Sequence, residues 1–171
     1  MFFSKRIPGS WQVFLSVTLL VLFYAASAMA IDYIKAGETL PDTLQVSDYQ
    51  GKTVKLAEAV KGKKSMIIFF NTSCRQCLAE TRYLMDNYGD ENNIFVAIDM
   101  AGADLVEKWQ KKRLADYPEI NILLDPEFKT PMQFGLSLTP SSVYINADGT
   151  VAQVKPGYNK SSESVIDTFY K

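Results

Sequence analysis

MIIFFNTSCRQC occupies residues 66–77 and contains the only two cysteines of the chain, Cys74 and Cys77. Its first five residues are all apolar and show no alternation, which predicts a central strand buried on both faces of a sheet. Apolar residues recur at helical spacing after this strand, and we predict a helix over residues 74–88. Two thiols at C-x-x-C spacing, where a strand passes into a helix, are typical of a thiol–disulfide exchange site.

The composition narrows the classes of protein to which this chain can belong. It has 171 residues, of which 18 are basic and 19 are acidic, so no charge excess favours binding to nucleic acid. It has no histidine, which excludes Ser-His and Cys-His nucleophile pairs, histidine metal sites and C-x-x-C-H haem attachment. We therefore expect no metal, and no cofactor other than a redox-active disulfide between Cys74 and Cys77.

The N-terminus has the parts of a secretory signal peptide. Lys5 and Arg6 supply a positive start, residues 13–24 are an apolar core, and residues 28–30 form an A-x-A cleavage pattern. Small residues therefore fall where a signal peptidase needs them. We predict that residues 1–30 are a signal peptide that is removed.

An uncleaved N-terminal membrane anchor is the alternative, since residues 11–31 carry no charge and are long enough to cross a bilayer. Both interpretations place residues 31–171, the predicted single domain, outside the cytoplasm, and we expect a bacterial periplasm. That compartment is oxidising, so Cys74 and Cys77 could also form a purely structural bridge. We favour exchange chemistry, because small loops gain least stability from cross-linking.

The rest of the chain alternates between strand and helix patterns, which predicts a mixed sheet covered by helices on both faces. A hairpin turn at residues 147–149 should add an antiparallel edge. We predict a helix over residues 104–114 with Leu105 on its buried face. The other predicted elements are a first hairpin over residues 44–46 and 53–56, strands over 94–98, 120–124, 142–145 and 151–154, and helices over 125–133 and 163–170.

The positions of the two cysteines predict different roles for them. A thiol attacks as thiolate, and Cys74 at the helix start faces the positive end of the helix dipole, which favours that form. Arg75 adds a neighbouring positive charge. Cys77 lies one helical turn further on and should be shielded by the core. We therefore predict that Cys74 is the attacking nucleophile and that Cys77 resolves the mixed disulfide.

Glu80 and the pair Thr139-Pro140 are further candidates for this site. Glu80 is three residues beyond Cys77 on the same side of the helix, where a carboxylate could take or give the proton of a shielded thiol. The alternative is an ordinary acidic residue, which the helix dipole favours in the first turns. Thr139-Pro140 stands at the entry to a predicted strand, and X-Pro bonds are where cis peptides occur, although trans is the usual state.

Together these motifs resemble the thioredoxin superfamily, and within it the extracytoplasmic TlpA/ResA-like branch. The segment at residues 69–77, Glu80, and the LTP entry to a strand at residues 138–140 carry the resemblance. It extends from residue 36 to the end of the chain, through GKTVKL at residues 51–56 and the DG turn at residues 148–149. The resemblance implies a thioredoxin-like three-layer α/β/α fold with a mixed central sheet and an N-terminal β-hairpin extension.

The resemblance also implies roles for individual residues. Pro140 would be cis and packed against the disulfide, Thr139 would offer backbone contacts to the substrate, and Glu80 would act near the cysteines. Arg75 and Gln76, which stand between the cysteines, are assigned to the same substrate-binding surface. The family commonly has Trp and Pro where this chain has Ser73 and Gln76, and we expect these departures to change the redox balance.

The implied function is that of a periplasmic thiol–disulfide oxidoreductase that reduces disulfides in partner proteins, for example apocytochrome cysteines in cytochrome c maturation. Its electrons would come from a thiol-transporting membrane reductase. Two alternatives stay open. One is a thiol peroxidase of the peroxiredoxin type, with Cys74 as the peroxidatic residue. The other is a non-catalytic binding module on the same fold, with a permanent disulfide.

Overall fold

The computed structural model describes residues 32–100 and 102–171, and Tyr33–Lys171 forms one compact unit. The predicted signal peptide and the alternative anchor over residues 11–31 lie outside the described residues. Among the described residues, no helix is both long and apolar enough to span a bilayer.

Strands and helices alternate along the described chain, as the sequence pattern predicts. The strands are β1 (Gln45–Ser47), β2 (Thr53–Lys55), β3 (Ser65–Phe70), β4 (Asn92–Ala97), β5 (Ile122–Leu124), β6 (Ser141–Ile145) and β7 (Val151–Pro156). The helices are α1 (Leu56–Ala59), α2 (Arg75–Tyr88), α3 (Ala103–Arg113), α4 (Lys129–Gln133) and α5 (Lys160–Tyr170).

The described strands form one mixed sheet in the order β2-β1-β5-β4-β3-β6-β7. β3, β4 and β5 run parallel, whereas β6 runs antiparallel to β3 and β7 antiparallel to β6. The N-terminal hairpin β1–β2 continues this sheet, since Ser47 pairs with Leu124. The predicted fold class, a three-layer α/β/α arrangement with a mixed sheet and an N-terminal hairpin, is confirmed.

The position of β3 in the sheet explains why apolar and polar residues do not alternate over residues 66–70. Ile67 and Phe69 enter a core cluster on one face of the sheet, with residues of α1 and the segment after α4. Met66, Ile68 and Phe70 enter a second cluster on the other face, with residues of α2, α3 and α5. Every residue of β3 is buried, and burying one such Ile or Phe side chain stabilises the fold by about 2 kcal/mol.

Two helix starts differ from the sequence prediction by more than one residue. α4 begins at Lys129 rather than at residue 125, because Phe128 has a left-handed backbone with φ of 56°. The buried carboxylate of Asp125 instead accepts hydrogen bonds from the backbone N–H groups of Lys129 (3.2 Å) and Thr130 (2.7 Å). α5 begins at Lys160, earlier than predicted, because Asn159 caps it.

One edge of the sheet collects several connecting loops. β3 and β4 are parallel, so the loops that follow them leave the sheet at the same edge. β6 is antiparallel to β3, so its start at Ser141 lies at that edge, beside Phe69. The active-site motif, the loop before α3 and the Thr139-Pro140 segment therefore meet at this edge, which is called the redox edge below.

Candidate active site

The loop between β3 and α2 is shaped by its own polar side chains. Asn71 Oδ1 accepts hydrogen bonds from the backbone N–H of Ser73 at 2.9 Å and from its hydroxyl at 2.5 Å. The backbone N–H of Cys74 donates to the Asn71 carbonyl at 3.1 Å. This is the local turn that an Asn side chain favours, and it delivers Cys74 to the N-cap position of α2.

Cys74 and Cys77 are joined by a disulfide with an S–S distance of 2.12 Å. Cys74 is half-buried, whereas Cys77 has no exposed surface and belongs to the core cluster under α2. The Cys74 sulfur also accepts a hydrogen bond from the backbone N–H of Cys77 at 3.0 Å. Both the N–H group and the helix dipole favour negative charge on this sulfur once the bridge is reduced.

Asp99 fixes the active-site loop from the neighbouring strand. It follows β4, is 8% exposed, and accepts hydrogen bonds from the Thr72 backbone N–H at 2.9 Å and from the Thr72 hydroxyl at 2.8 Å. Sequence reasoning missed this contact. An acidic residue directly after a continuous apolar strand was the available signal, because a buried carboxylate at such a place needs donors.

Glu80 is buried on α2, one turn beyond Cys77, and is 2% exposed. Its Oε1 accepts a hydrogen bond from the hydroxyl of Ser142 on β6 at 2.7 Å, while Oε2 has no partner among the described residues. Burial raises the pKa of Glu80 to about 7, although the Ser142 hydrogen bond and the charge of Lys155 pull it down. Glu80 is thus unlike a solvated acid that merely favours a helix start, while its chemical role stays a prediction.

Two tyrosines accompany Glu80 in this interior. Burial, and then the charge of Glu80, raise the pKa of Tyr144, whose hydroxyl has no hydrogen-bond partner among the described residues. Tyr158 donates a hydrogen bond to Glu163 at 3.1 Å, and its pKa is raised mainly by burial and by that bond. Polar side-chain atoms of Glu80 and Tyr144 are therefore buried within the largely apolar core.

The remaining predicted site residues also lie at the redox edge. The Thr139–Pro140 peptide bond is cis, Pro140 is buried and Thr139 is half-buried. Arg75 and Gln76 are exposed in the first turn of α2. The fold thus brings the Cys74–Cys77 segment and the Thr139-Pro140 segment to one edge of the sheet, and Glu80 is buried on the helix that contains Cys77.

Within the described residues, no group of three His, Cys, Asp or Glu side chains is placed to hold a metal ion. The redox-capable group that the structure does show at this edge is the Cys74–Cys77 bridge itself. The arrangement can therefore exchange electrons by thiol–disulfide chemistry, with one sulfur accessible and one shielded.

The comparison with known proteins agrees with this geometry. The sequence model of the Redoxin family matches residues 35–169. The thiol-disulfide oxidoreductase ResA of Bacillus subtilis (strain 168) is 25% identical over 150 residues, which cover 85% of this chain and 80% of ResA.

Solved structures share the fold at low sequence identity. A protein named as the thiol:disulfide interchange protein DsbE, from Chlorobium tepidum, superposes with a TM-score of 0.66 at 20% identity, over 80% of this chain and 96% of that chain. Reduced Prx3 of Vibrio vulnificus, solved with hydrogen peroxide, gives a TM-score of 0.60 at 18% identity, over 80% of this chain and 99% of that chain. At such identities the likeness shows the fold alone, so it does not separate exchange from peroxidase chemistry.

The family assignment rests on the match over residues 35–169, and the type of chemistry rests on the bridged cysteine pair together with the similarity to ResA. The chain belongs to the Redoxin family, within which it is a ResA-like thiol–disulfide oxidoreductase of the thioredoxin superfamily.

Proposed function

We propose that this chain reduces disulfide bonds in partner proteins outside the cytoplasm, with Cys74 and Cys77 as its redox pair. The observation that carries the proposal is the buried carboxyl group of Glu80, one helical turn beyond the buried Cys77. A structural bridge needs no titrating group in the core behind it. A resolving thiol in the core does need a group that takes its proton, and a pKa of about 7 suits that task near neutral pH.

The reduction starts with the reduced pair and with Cys74 as thiolate. The Cys74 sulfur attacks one sulfur of the partner's disulfide and expels the other as a thiolate, which takes a proton from water. The Cys77 thiol then passes its proton to Glu80 and attacks the Cys74 sulfur, which releases the second partner sulfur as a thiolate. Two electrons have then passed to the partner, and the Cys74–Cys77 disulfide is the product.

Substrate contacts are assigned to the side chains that surround Cys74 at the redox edge. Thr139 and Pro140 precede β6 on one side, and the exposed Arg75 and Gln76 lie in the first turn of α2. Their common position at the mouth of the site supports the assignment. No cofactor beyond the disulfide and no nucleic acid enters the proposed reaction.

The proposed location is the bacterial periplasm, reached through a signal peptide at residues 1–30 or held at the membrane by an anchor over residues 11–31. The apolar, charge-flanked N-terminus and the similarity to ResA support this location. For the electron supply we propose a thiol-transporting membrane reductase. Apocytochrome cysteines awaiting haem are the proposed substrates.

The reduction potential of the pair tests the proposal, measured on the full chain in glutathione redox buffers. If the chain is a disulfide reductase, the reduction potential of this pair should be about −270 mV, the value of thioredoxin. A potential above about −180 mV, the region of isomerases and oxidants, would contradict it. A potential well below about −300 mV would indicate a permanent bridge. Saturable consumption of hydrogen peroxide would indicate a peroxidase instead.

A further inference from the structure

Ser142 connects the strand that follows Pro140 with the buried carboxyl group on α2. Its hydroxyl donates a hydrogen bond of 2.7 Å to Oε1 of Glu80, and both residues are 2% exposed. Oε2 of the same carboxyl group is also buried, and it has no hydrogen-bond partner among the described residues. The two oxygens of Glu80 therefore differ, because one is held by a donor and the other is free.

The sheet holds the Ser142 hydroxyl at a fixed place. Ser142 pairs with Ile68 of β3 on one side and with Lys155 of β7 on the other, and every residue of β6 is buried. A donor on a strand that is paired on both sides has little freedom to move. It can therefore fix the orientation of the side chain that it contacts more precisely than a donor on a loop.

The same face of β6 contains a second buried hydroxyl, which makes no such bond. Tyr144 is two residues beyond Ser142, so both side chains leave β6 on the face that α2 and α5 cover. The Tyr144 hydroxyl has no partner in the part of the chain that the structure describes. Ser142 and Tyr144 thus provide a bonded and an unbonded hydroxyl on one face of one strand.

Other titratable side chains that interact with Glu80 come from three elements: Tyr144 of β6, Lys155 of β7 and Tyr158 of the loop after β7. Burial raises the pKa of Glu80, whereas the hydrogen bond from β6 and the charge of Lys155 lower it. Burial also raises the pKa of Tyr144 and of Tyr158, and Tyr158 donates a hydrogen bond to Glu163 of α5. Both tyrosines therefore stay neutral near pH 7, where Glu80 titrates.

We propose that Ser142 is a positioning residue for Glu80, because its bond to Oε1 leaves Oε2 as the oxygen that takes the proton of Cys77. The inference rests on the proposed function and deepens it. In this step the S–H bond of Cys77 breaks and an O–H bond forms at Oε2. The sulfur keeps the electron pair with which it attacks the Cys74 sulfur.

The bond from Ser142 is compatible with both protonation states of Glu80. Oε1 accepts it before and after the transfer, since an oxygen of a carboxylate and the carbonyl oxygen of a carboxylic acid are both acceptors. The bond to the carboxylate is the stronger one, so it favours the form of Glu80 that accepts a proton. Ser142 should thus keep Glu80 able to act near neutral pH in spite of its burial.

The first test follows the titration of the Glu80 carboxyl carbon by NMR in the oxidised full chain, with isotope-labelled glutamate and Glu80→Gln for assignment. Ser142→Ala should raise the titration midpoint of Glu80 by about one pH unit, because the charged form loses a donor.

The second test measures the rate at which Cys77 resolves the mixed disulfide, by stopped-flow mixing of the reduced full chain with a peptide disulfide. In Ser142→Ala this rate should be about fivefold lower than in wild type near pH 7. It should reach the wild-type rate by about pH 9, where Glu80 is ionised in both proteins. A merely structural defect would lower the rate at every pH.

Two further variants complete the design. Ser142→Thr keeps a hydroxyl at this position and should restore the wild-type midpoint and rate profile. Tyr144→Phe removes the unbonded hydroxyl from the same face of β6 and should leave the midpoint unchanged. An unchanged midpoint in Ser142→Ala, or an equal shift in Tyr144→Phe, would overturn the inference alone. A raised midpoint without a matching shift of the rate profile would contradict proton transfer to Glu80, and with it the proposed function.

Discussion

The two sulfurs of the Cys74–Cys77 bridge are bonded to each other but lie in opposite surroundings. Cys74 is half-buried at a helix start, and its chain neighbours Ser73 and Arg75 are exposed polar residues. Cys77 is fully buried, and the carboxyl group of Glu80 lies one turn beyond it in the same core. The difference shows that two cysteines of one motif can differ in accessibility and in neighbouring groups, because the surrounding fold supplies both.

Replacing each cysteine by serine in turn is the strongest test of the difference between Cys74 and Cys77. We expect Cys74→Ser to abolish reduction of peptide disulfides, because no accessible thiol remains. Cys77→Ser should keep the first attack and accumulate a stable mixed disulfide with the substrate, because the resolving thiol is missing. Mass spectrometry under non-reducing conditions detects the adduct. An adduct that forms in Cys74→Ser and not in Cys77→Ser would reverse the two roles.

Glu80→Gln tests the buried surroundings of Cys77, through the pH dependence of the step in which Cys77 resolves the mixed disulfide. The rate at which Cys77 resolves the mixed disulfide should rise in the wild type as pH increases through about 7, because Glu80 then becomes able to accept a proton. In the variant we expect a rate about a hundredfold lower near pH 7.5 and a flatter profile. Stopped-flow mixing with a peptide disulfide measures both.

Glu119→Gln provides the matched control, since Glu119 is an exposed acid outside α2. It should leave the profile unchanged. A Glu80→Gln variant with the wild-type pH profile would show that Glu80 takes no part in proton transfer.

The same carboxyl group should make stability depend on pH. The pKa of Glu80 is raised from 4.5 to about 7 by burial, so the folded state holds this proton more tightly than the unfolded state. The free energy of unfolding is therefore highest at pH values below the pKa of Glu80 in the unfolded state. It falls as pH rises toward 7, by on the order of 3 kcal/mol. We expect oxidised Glu80→Gln to be more stable than wild type at pH 8, with the advantage shrinking toward pH 4.5. Urea unfolding at both pH values measures the difference, and a constant difference would contradict it.

Thr72→Val tests the contact between Thr72 and Asp99, which holds the loop that carries Cys74. Its expected effect is the smallest of these. It removes the hydroxyl that donates to Asp99 but keeps the backbone donor and the shape of the side chain. We expect a loss of stability of about 1 kcal/mol and a change of a few-fold in the alkylation rate of Cys74. Thr168→Val, at an exposed position on α5, is the control. Equal alkylation rates in wild type and Thr72→Val would show that the contact does not order the reactive loop.

Much of the fold follows from periodicity in the sequence. The apolar run in β3, the C-x-x-C pair and the alternation of elements predict a buried central strand, the start of α2 and a mixed sheet, since each depends on neighbouring residues. Boundaries that depend on distant or unusual backbone geometry were not predictable. Phe128 delays α4 with a left-handed backbone. The prediction that Leu105 is buried was wrong, because the face of α3 that packs on the core contains Val106 and not its neighbour Leu105.

The sequence by itself determined the class of chemistry, because two cysteines without histidine leave thiol–disulfide exchange as the main use of this motif. Only the tertiary structure decided which residues from other strands contact the active-site loop and Glu80. Ser142 meets Glu80 across 62 positions of the chain, and Asp99 meets Thr72 across 27. Such contacts are made when β6 and β4 pair on either side of β3, so they depend on strand order and register. Local sequence pattern carries no information about either.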